Sequence, residues 1–405
     1  MRPAVPPIVR RLGWVSFFTD IAAEMIYPLI PTLLRSFGTA AIWLGVMEGI
    51  AEAASALVKW RIGPVVDRSP RRKPFIVAGY ALATLARPLV AFATMGLHVV
   101  VLRSLDRIGK GVRGVPRDAL VADSVPRESL ATAFAFHRMM DNAGSVLGPI
   151  VAFALLRMLE LPARTVILCA FVPGLVSLLV LVLGVKEEPV AKAAPKGSPE
   201  RSGGADASES AGEGQKEARE RLPSDLRTYL AVLGLFTLGS SADSFLLLRA
   251  PDVGVPTEWV PLLWLSLSLA KTASNLPGGW LADRIGYKPT LVAGWLLYAA
   301  FYGALPFVTT PVPFAIVVVA YGAYYGLAEG SERALLTALA PPAMKGRAFG
   351  AMHAITGIAV LPANLLFGFL YGKDVTLAFG ASAACAGAAA LLLALVVKKP
   401  ATLTP

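Results

Sequence analysis

Long apolar runs recur along the whole chain and limit what it can fold into. A run of about 20 apolar residues is long enough to cross the hydrocarbon core of a bilayer as a helix. The runs, called spans 1 to 12 below, are predicted at residues 13–34, 42–60, 74–96, 98–121, 131–156, 164–184, 227–248, 259–281, 289–308, 312–338, 347–371 and 375–397. The chain is therefore predicted to be an all-α membrane protein with twelve transmembrane helices.

Composition supports a membrane protein rather than a water-soluble one. Hydrophobic residues make up 55% of the 405 residues and charged residues only 16%, and the mean hydropathy is +0.62. Soluble domains contain roughly 25% charged residues. A soluble chain of this length could not hide so much apolar surface, because a folded chain still exposes a large area to water.

The second half of the sequence repeats the first at an offset of about 216 residues. Gly63-Pro-Val-Val-Asp67-Arg68 returns as Gly279-Trp-Leu-Ala-Asp283-Arg284, and Cys169 returns as Cys385. Both cysteines lie within apolar runs, so no disulfide is expected. Many transporters are built from such repeats, with the binding site at the interface between the two halves.

One polar segment separates the two halves. Residues 186–226 combine low hydrophobicity and mixed charge with Pro, Gly and Ser, which predicts a disordered linker. The predicted organisation is an N-terminal six-helix bundle at 1–185, the linker at 186–226, and a C-terminal six-helix bundle at 227–405. The two bundles are expected to be pseudo-symmetric.

The net charge of +11 is a topology signal. Basic clusters such as Arg10-Arg11, Arg71-Arg72-Lys73 and Lys398-Lys399 occur in segments that lie on one side of the predicted membrane. By the positive-inside rule both termini and the linker are cytoplasmic. No cleavable signal peptide is evident at the N-terminus. These features predict a multi-pass protein of the bacterial cytoplasmic membrane, embedded in lipid as a monomer, without a nucleic-acid partner.

The repeated Gly-x-x-x-Asp-Arg motif stands at the cytoplasmic ends of spans 2 and 8. Its glycine (Gly63, Gly279) lets a neighbouring helix approach closely. Its aspartate (Asp67, Asp283) can face that neighbour's N-terminus or an arginine. Ordinary helix-end charge is the alternative interpretation.

At this motif the chain resembles the major facilitator superfamily, whose signature lies between helices 2 and 3. The resemblance covers essentially the whole chain through span count, linker position and repeat. It implies that the motif is a conformational latch of the transport cycle, which includes Arg68 and Arg284. The adjacent pairs Arg117-Asp118 and Glu332-Arg333 suit the same cytoplasmic network. Replacing Asp67 or Asp283 with alanine is expected to impair cycling while sparing insertion.

Span 4 is unusually charged for a transmembrane segment. Charges inside the membrane are costly and usually face a cavity. The candidates for substrate or proton binding here are Arg103, Asp106, Arg107, Lys110 and Arg113, and Asp106 is predicted to pair with Lys110 at i, i+4. Arg107-Ile-Gly-Lys110-Gly111 resembles the superfamily's fourth-helix arginine motif, associated with proton-coupled exchange. An ion-pair network that only fixes the helix is the alternative.

Span 1 holds Asp20 and Glu24 on one helical face. At ~1.5 Å rise per residue they lie roughly 10 and 16 Å inside the cytoplasmic edge, at depths similar to Lys110 and Arg113. In the resembled superfamily, helices 1, 4, 7 and 10 line the central cavity. The segment from Phe18 to Pro28 also resembles a bacterial permease subgroup that includes magnetosome-membrane members.

Further polar groups are weaker candidates. Glu52 is taken as deeper than Glu48, which is predicted to reach toward the outer interface, and Asp243 and Glu329 complete the predicted cavity set. For isolated groups such as Arg87 and Lys271, a structural ion pair is as plausible as a substrate contact. In span 5, Gly144-Ser-Val-Leu-Gly148-Pro149 resembles the helix-5 Gly-Pro motif of exporters, although simple helix packing would explain it equally well.

These features predict a secondary active transporter that moves a small solute by alternating access, coupled to protons and working as an exporter. Two alternatives stay open: a non-transporting receptor or scaffold with the same fold, and a divalent metal exporter. An enzyme is not predicted. The glycines around Lys110 do not form a P-loop, no nucleophile–base constellation is present, and no histidine has metal-ligand spacing. No cofactor or resident metal is therefore expected.

Overall fold

The computed structural model describes residues 6–38, 40–69, 71–125, 130–187, 222–341 and 344–397. All regular secondary structure within these ranges is helical. Residues 188–221, which make up most of the predicted linker, lie outside the described residues.

The first half contains six helical spans separated by short turns. Their bounds are Pro7–Ile26, Tyr27–Leu29 and Ile30–Arg35 for span 1, Ala40–Arg68 for span 2, Lys73–Leu89 and Val90–Phe92 for span 3, Gly96–Asp123 for span 4, Leu130–Arg157 for span 5, and Ala163–Cys169, Phe171–Leu179 and Val180–Gly184 for span 6.

The second half repeats this arrangement. Its bounds are Ser224–Gly239, Ser244–Arg249 and Ala250–Val253 for span 7, Val260–Ile285 for span 8, Tyr287–Ala304 and Leu305–Phe307 for span 9, Pro311–Leu339 for span 10, Lys345–Lys373 for span 11, and Val375–Val396 for span 12. Cys169 and Cys385 are both free thiols.

Ten of the spans within the described residues are long and apolar enough to cross a membrane by length and composition alone. The other two, spans 4 and 8, are equally long helices whose central turns carry charged or polar side chains. These polar side chains lower the hydropathy of spans 4 and 8 at the level of the functional site. The twelve-helix, two-bundle architecture expected from the sequence is confirmed.

The two halves use the same packing scheme. In the first half span 1 packs on spans 5 and 6, and span 4 packs on spans 2 and 3; in the second half span 7 packs on spans 11 and 12, and span 10 on spans 8 and 9. Between the halves, span 2 packs on span 11 and span 5 on span 8. These two contacts are exchanged by the same twofold relation that exchanges the halves.

A pair of lysines shows the repeat at atomic detail. Lys73 donates from Nζ to the Val182 carbonyl oxygen at 2.9 Å, and Lys288 donates to the Val397 carbonyl oxygen at 2.6 Å. Both partners are displaced by 215 residues in the sequence. Each lysine lies in the first turn of the third helix of its half and satisfies a carbonyl group at the C-terminal end of the sixth, where cations are favoured.

Spans 1 and 7 are interrupted at equivalent positions. Span 1 narrows to a 3₁₀ turn at Tyr27–Leu29, and span 7 breaks between Gly239 and Ser244. Side chains satisfy the backbone at the second break, where Ala242 N donates to Asn364 Oδ1 at 2.9 Å. Irregular backbone at membrane depth occurs where it is buried in protein or lines a cavity.

The halves meet most closely on the face opposite the chain termini, called the opposite face below. Arg35 at the end of span 1 contacts Asp252 at 2.5 Å and donates to the Leu248 carbonyl oxygen at 2.6 Å, both at the end of span 7. Tyr371 of span 11 donates to Asp252 at 3.2 Å. On this face spans 2 and 11 also approach at Gly45, where an added Cβ would lie 2.2 Å from the Asn364 carbonyl oxygen.

We expect Arg35→Gln to favour opening of the opposite face, because it removes an ion pair that joins the two halves only when this face is closed. The Arg35 side chain is 37% exposed, and such pairs contribute about 0.2–1 kcal/mol. The closed-to-open ratio should therefore fall by a few-fold. Double electron–electron resonance between spin labels on the two halves, placed at the opposite face, would measure this ratio. Arg157→Gln, an exposed cation on the same face, is the control; an equal shift in both variants would contradict the role of the ion pair.

Candidate functional site

A charged cavity of 190 Å³ lies between the two halves. Spans 1, 3 and 4 of the first half form most of its wall, and span 8 of the second half supplies one side chain. Its lining residues are Asp20, Ala23, Glu24, Tyr27, Arg87, Arg103, Asp106, Arg107, Lys110, Arg113 and Trp264. Seven of the ten predicted cavity residues are therefore brought together, and the other three, Glu52, Asp243 and Glu329, lie elsewhere.

A buried ion-pair triad forms the deepest part of the cavity wall. Asp106 is 4% exposed and accepts from Arg87 Nε at 2.9 Å and from Arg103 Nη1 at 2.7 Å. Arg87 also donates to the Thr19 carbonyl oxygen at 2.8 Å, which ties span 3 to span 1. The predicted pairing of Asp106 with Lys110 is wrong, because the arginines of spans 3 and 4 occupy both carboxylate oxygens.

Glu24 connects the two halves directly. Trp264 of span 8 donates from Nε1 to Glu24 Oε2 at 2.6 Å, and the Trp264 and Tyr27 rings lie 4.8 Å apart. Arg103 lies over the Tyr27 ring, 5.2 Å from its centroid. The carboxylate of span 1 and the aromatic pair thus close the cavity toward the opposite face.

Three cations of the cavity have incomplete partners. Arg107 lies 3.5 Å from Glu52, whose side chain is 51% exposed. Arg113 is 4% exposed, stacks over the Tyr80 ring at 4.3 Å, and has an Nη1 atom without a hydrogen-bond partner in the described residues. Among the described residues, no carboxylate lies within 4.0 Å of the Lys110 ammonium group.

The two glutamates of span 2 are placed differently from the prediction. Glu48 is 5% exposed and accepts from Tyr27 Oη at 3.0 Å, whereas Glu52 is about half exposed. The interpretation of Glu48 as a group reaching the outer interface is wrong, since the Tyr27 turn covers it. Both glutamates line a second cavity of 200 Å³ beside the break in span 7.

Asp243 belongs to a separate cluster in the second half. It forms an ion pair with Lys271 and accepts from Tyr321 at 3.1 Å and from Tyr325 at 2.9 Å. Lys271 also lies 5.3 Å from the Trp264 ring, so this cluster reaches the cavity through that tryptophan. Sequence reasoning missed the contribution of Trp264, although its seven-residue spacing from Lys271 places both on one helical face.

A polar cluster lies below the cavity in the first half. Ser16 Oγ is 3.1 Å from His137 Nε2, 3.3 Å from Tyr80 Oη, and accepts from Arg117 Nη1 at 3.2 Å. Arg117 also pairs with its neighbour Asp118 at 3.0 Å. The structure therefore joins Arg117 to the span 1 face that leads to Asp20, in addition to its place at the end of span 4.

The latch residues of the first repeat, Gly63, Asp67 and Arg68, belong to the last turns of span 2, and their surroundings lie outside the described residues. In the second repeat Asp283 and Arg284 are exposed. Among the described residues, no neighbour lies within 4 Å of a Cβ built on Gly279. In the part of the chain that the structure describes, the close approach to span 10 falls on Gly278 rather than on Gly279, since a Cβ added to Gly278 would lie 2.0 Å from the Gly326 carbonyl oxygen.

Span 10 does not join the cavity through its acidic residues. Glu329 is exposed. Glu332 accepts from Trp295 Nε1 at 3.2 Å, and its backbone oxygen accepts from Tyr229 at 3.0 Å. Glu332 therefore fixes span 10 to spans 7 and 9, and Arg333 follows it at the same end of the helix.

The span 5 glycines pack directly beneath the span 1 carboxylates. A Cβ on Gly144 would lie 2.4 Å from the Phe17 carbonyl oxygen and 3.1 Å from Asp20 Cβ, and one on Gly148 would lie 2.7 Å from Glu24 Cβ. Pro149 follows within the same helix. The helix-5 motif thus sets the distance between spans 1 and 5 at the level of Asp20 and Glu24.

We expect Gly148→Ala to lower stability by about 1–3 kcal/mol, because the added methyl group forces two backbones apart in a packed interface. It should also reduce transport by displacing Glu24. Thermal unfolding in detergent and solute flux would measure the two effects. Gly387→Ala in span 12 is the control, since none of the described residues has an atom within 4 Å of its Cβ position. Equal unfolding temperatures for the two variants would contradict this packing role.

Two six-helix halves that enclose a charged cavity, closed at one face, define a multi-pass membrane transporter. The family is identified by sequence as well, since the model of the Major Facilitator Superfamily matches residues 12–263 and 259–405. The chain belongs to this family.

Similar proteins agree with this assignment. The chain is 28% identical over 377 residues to an uncharacterised MFS-type transporter of Methanocaldococcus jannaschii, covering 91% of this chain and 90% of the relative. It is 23% identical over 356 residues to the multi-drug resistance efflux pump PmrA of Streptococcus pneumoniae, covering 84% and 83%. The fold is similar to that of a bacterial homologue of the human lysosomal transporter Spinster in an inward-facing, unoccupied conformation, with a TM-score of 0.70, 16% identity and coverage of 98% and 96%.

Proposed function

We propose that the protein is a proton-coupled secondary active transporter that moves a small solute by alternating access and works as an exporter. The observation that carries this proposal is the central cavity, in which ionisable side chains of one half contact a side chain of the other half. Intramembrane charges that face a cavity are typical of substrate and proton pathways. A receptor or scaffold has little reason to keep them.

Glu24 and Asp20 are the proposed proton sites, with Arg107 and Lys110 as counter-charges. A carboxylate in such a cavity responds to two opposing effects, since burial favours its neutral form and a nearby cation favours its charged form. Glu24 is the stronger candidate because it bonds to Trp264 of the other half. Its protonation therefore changes a contact between the two parts that move.

Two observations support export. The Gly144–Pro149 segment resembles the exporter motif, and one relative is a multi-drug resistance efflux pump. The charge of the solute decides the sign of the coupling. A solute that competes with the proton for Glu24 or Asp20 exchanges with it, whereas a solute that binds to the cations travels with it.

We also propose a membrane location and an orientation for the protein. The distribution of basic residues supports a bacterial cytoplasmic membrane with both termini cytoplasmic. The domain limits at 185 and 227, the monomeric state and the finer resemblance to magnetosome-membrane permeases stay predictions. Labelling of single cysteines introduced into the 186–226 linker from either side of the membrane would test the orientation.

Reconstitution into proteoliposomes tests the proposed function. A pH gradient is imposed and an internal pH-sensitive dye records proton flux while cationic drugs, organic anions and divalent metals are added in turn. We expect solute-dependent proton flux that is absent from protein-free vesicles. Flux with metals alone would favour a divalent metal exporter. Absence of flux and of solute accumulation with all three classes would favour a receptor or scaffold.

A further inference from the structure

The cavity contains more cationic side chains than carboxylates that could pair with them. Five of its lining side chains are cationic and three are carboxylates. Arg87 and Arg103 are both occupied by Asp106. Arg107, Lys110 and Arg113 are left along one side of the cavity, all from span 4.

Arg113 has the clearest unused capacity to donate hydrogen bonds. Its side chain is almost completely buried, yet its Nη1 atom has no hydrogen-bond partner in the described residues. A buried polar group without a partner is costly, and a buried charge without a counter-charge is more so. The planar guanidinium group is suited to a bidentate contact with a carboxylate.

The carboxylates of span 1 do not fill this capacity. Glu24 accepts from Trp264. Asp20 lies within 4.0 Å of no cation in the portion of the chain that the structure describes. The two acids and the three cations therefore line the same space without pairing at close range, as expected for groups that bind something else between them.

We infer that the transported solute is a small organic anion whose carboxylate binds between Lys110 and Arg113 and whose flat apolar body packs against Tyr27 and Trp264. This inference rests on the proposed function and narrows its substrate class. The rings of Tyr27 and Trp264 lie 4.8 Å apart at the closed end of the cavity and offer an apolar, aromatic surface. The cavity of 190 Å³ is smaller than the roughly 300–1,000 Å³ of sites for drug-sized ligands.

A bound anion also affects proton binding. Asp20 faces Asp141 of span 5 as well as Lys110 and Arg113 of span 4. An anion bound beside Asp20 and Glu24 adds to the negative charge there and favours the protonated forms of these two groups. Solute and proton then bind in the same state of the transporter and cross together. An anion leaving the cell would carry a proton with it and be driven by its own concentration gradient.

Three ring compounds of matched shape test the solute class: benzoate, the neutral benzamide and the cationic benzylammonium. Binding to purified full-length protein is measured by calorimetry at pH 6 and pH 8, in two buffers of different ionisation enthalpy. We expect benzoate to bind at least about tenfold more tightly than the other two. Its affinity should increase at pH 6, with net proton uptake on binding.

Variants locate the site. Lys110→Gln and Arg113→Gln should each weaken benzoate binding about tenfold or more, whereas Lys373→Gln, on the opposite face, should not change it. Lys110 is exposed, so its variant keeps the test valid if Arg113→Gln does not fold. Tighter binding of benzylammonium, an unchanged affinity in Lys110→Gln, or no benzoate binding at millimolar concentration would overturn the inference. Flux of cationic or neutral solutes in proteoliposomes would still leave the proposed transport function standing.

Discussion

Glu24→Gln is expected to abolish proton-driven transport while leaving solute binding and solute exchange within a few-fold of the wild type. Glutamine keeps the shape and an oxygen acceptor for the Trp264 N–H group, which lies 2.6 Å from the glutamate oxygen. It cannot take up a proton. The carboxylate accepts a stronger hydrogen bond when it is charged than when it is neutral, so proton occupancy changes the contact between spans 1 and 8. Because glutamine does not change its protonation state, proton binding no longer alters the contact between spans 1 and 8.

The measurement compares two assays in the same vesicles. Accumulation driven by a pH gradient should fall to the level of protein-free liposomes, while exchange of labelled for unlabelled solute continues. Glu48→Gln is a matched control, because Glu48 is also buried and also accepts one hydrogen bond but does not line the central cavity. If Glu24→Gln and Asp20→Asn each keep the pH dependence of the wild type, the coupling site lies elsewhere, with Glu52 next and then Glu329.

Asp106→Asn is expected to cost about 3–5 kcal/mol of folding stability, the range found when one partner of a buried ion pair is removed. The change leaves Arg87 and Arg103 buried without their shared counter-charge. It also loosens the attachment of Arg87 to the Thr19 carbonyl group, through which span 3 holds span 1. Reduced yield of folded protein and a lower unfolding midpoint in detergent would both report the loss.

Asp118→Asn provides the comparison on the same helix. Its carboxylate is 55% exposed, and exposed pairs contribute about 0–1 kcal/mol. Adding Arg103→Gln to Asp106→Asn removes one of the two uncompensated charges and should recover part of the lost stability, as a double-mutant cycle would show. Similar midpoints for Asp106→Asn and Asp118→Asn would mean that the triad does not stabilise the bundle.

Part of the charge network of span 4 is paired within the bundle. Asp106 and Arg103 form an ion pair, as the alternative of a purely structural network requires. Lys110 and Arg113 are not paired with carboxylates in the described residues. We therefore propose that the same helix contributes both a structural triad and groups available to a ligand, centred about two helical turns apart.

The fold follows from the order of residues along the chain, because the length of the apolar runs predicts helices that cross a membrane and the 216-residue repeat predicts two equivalent halves. The sequence also placed Asp20, Glu24 and Lys110 at similar depths, because depth follows from the rise per residue along a helix. The pairs of side chains that contact each other become visible in the folded bundle alone. In the sequence Arg87 is an isolated charge and Trp264 shares only a helical face with Lys271, whereas in the fold span 3 brings Arg87 to Asp106 and span 8 brings Trp264 to Glu24. Such pairings depend on the rotation of each helix about its axis and on its neighbours in the bundle, which side-chain packing sets and a single helix's periodicity does not contain.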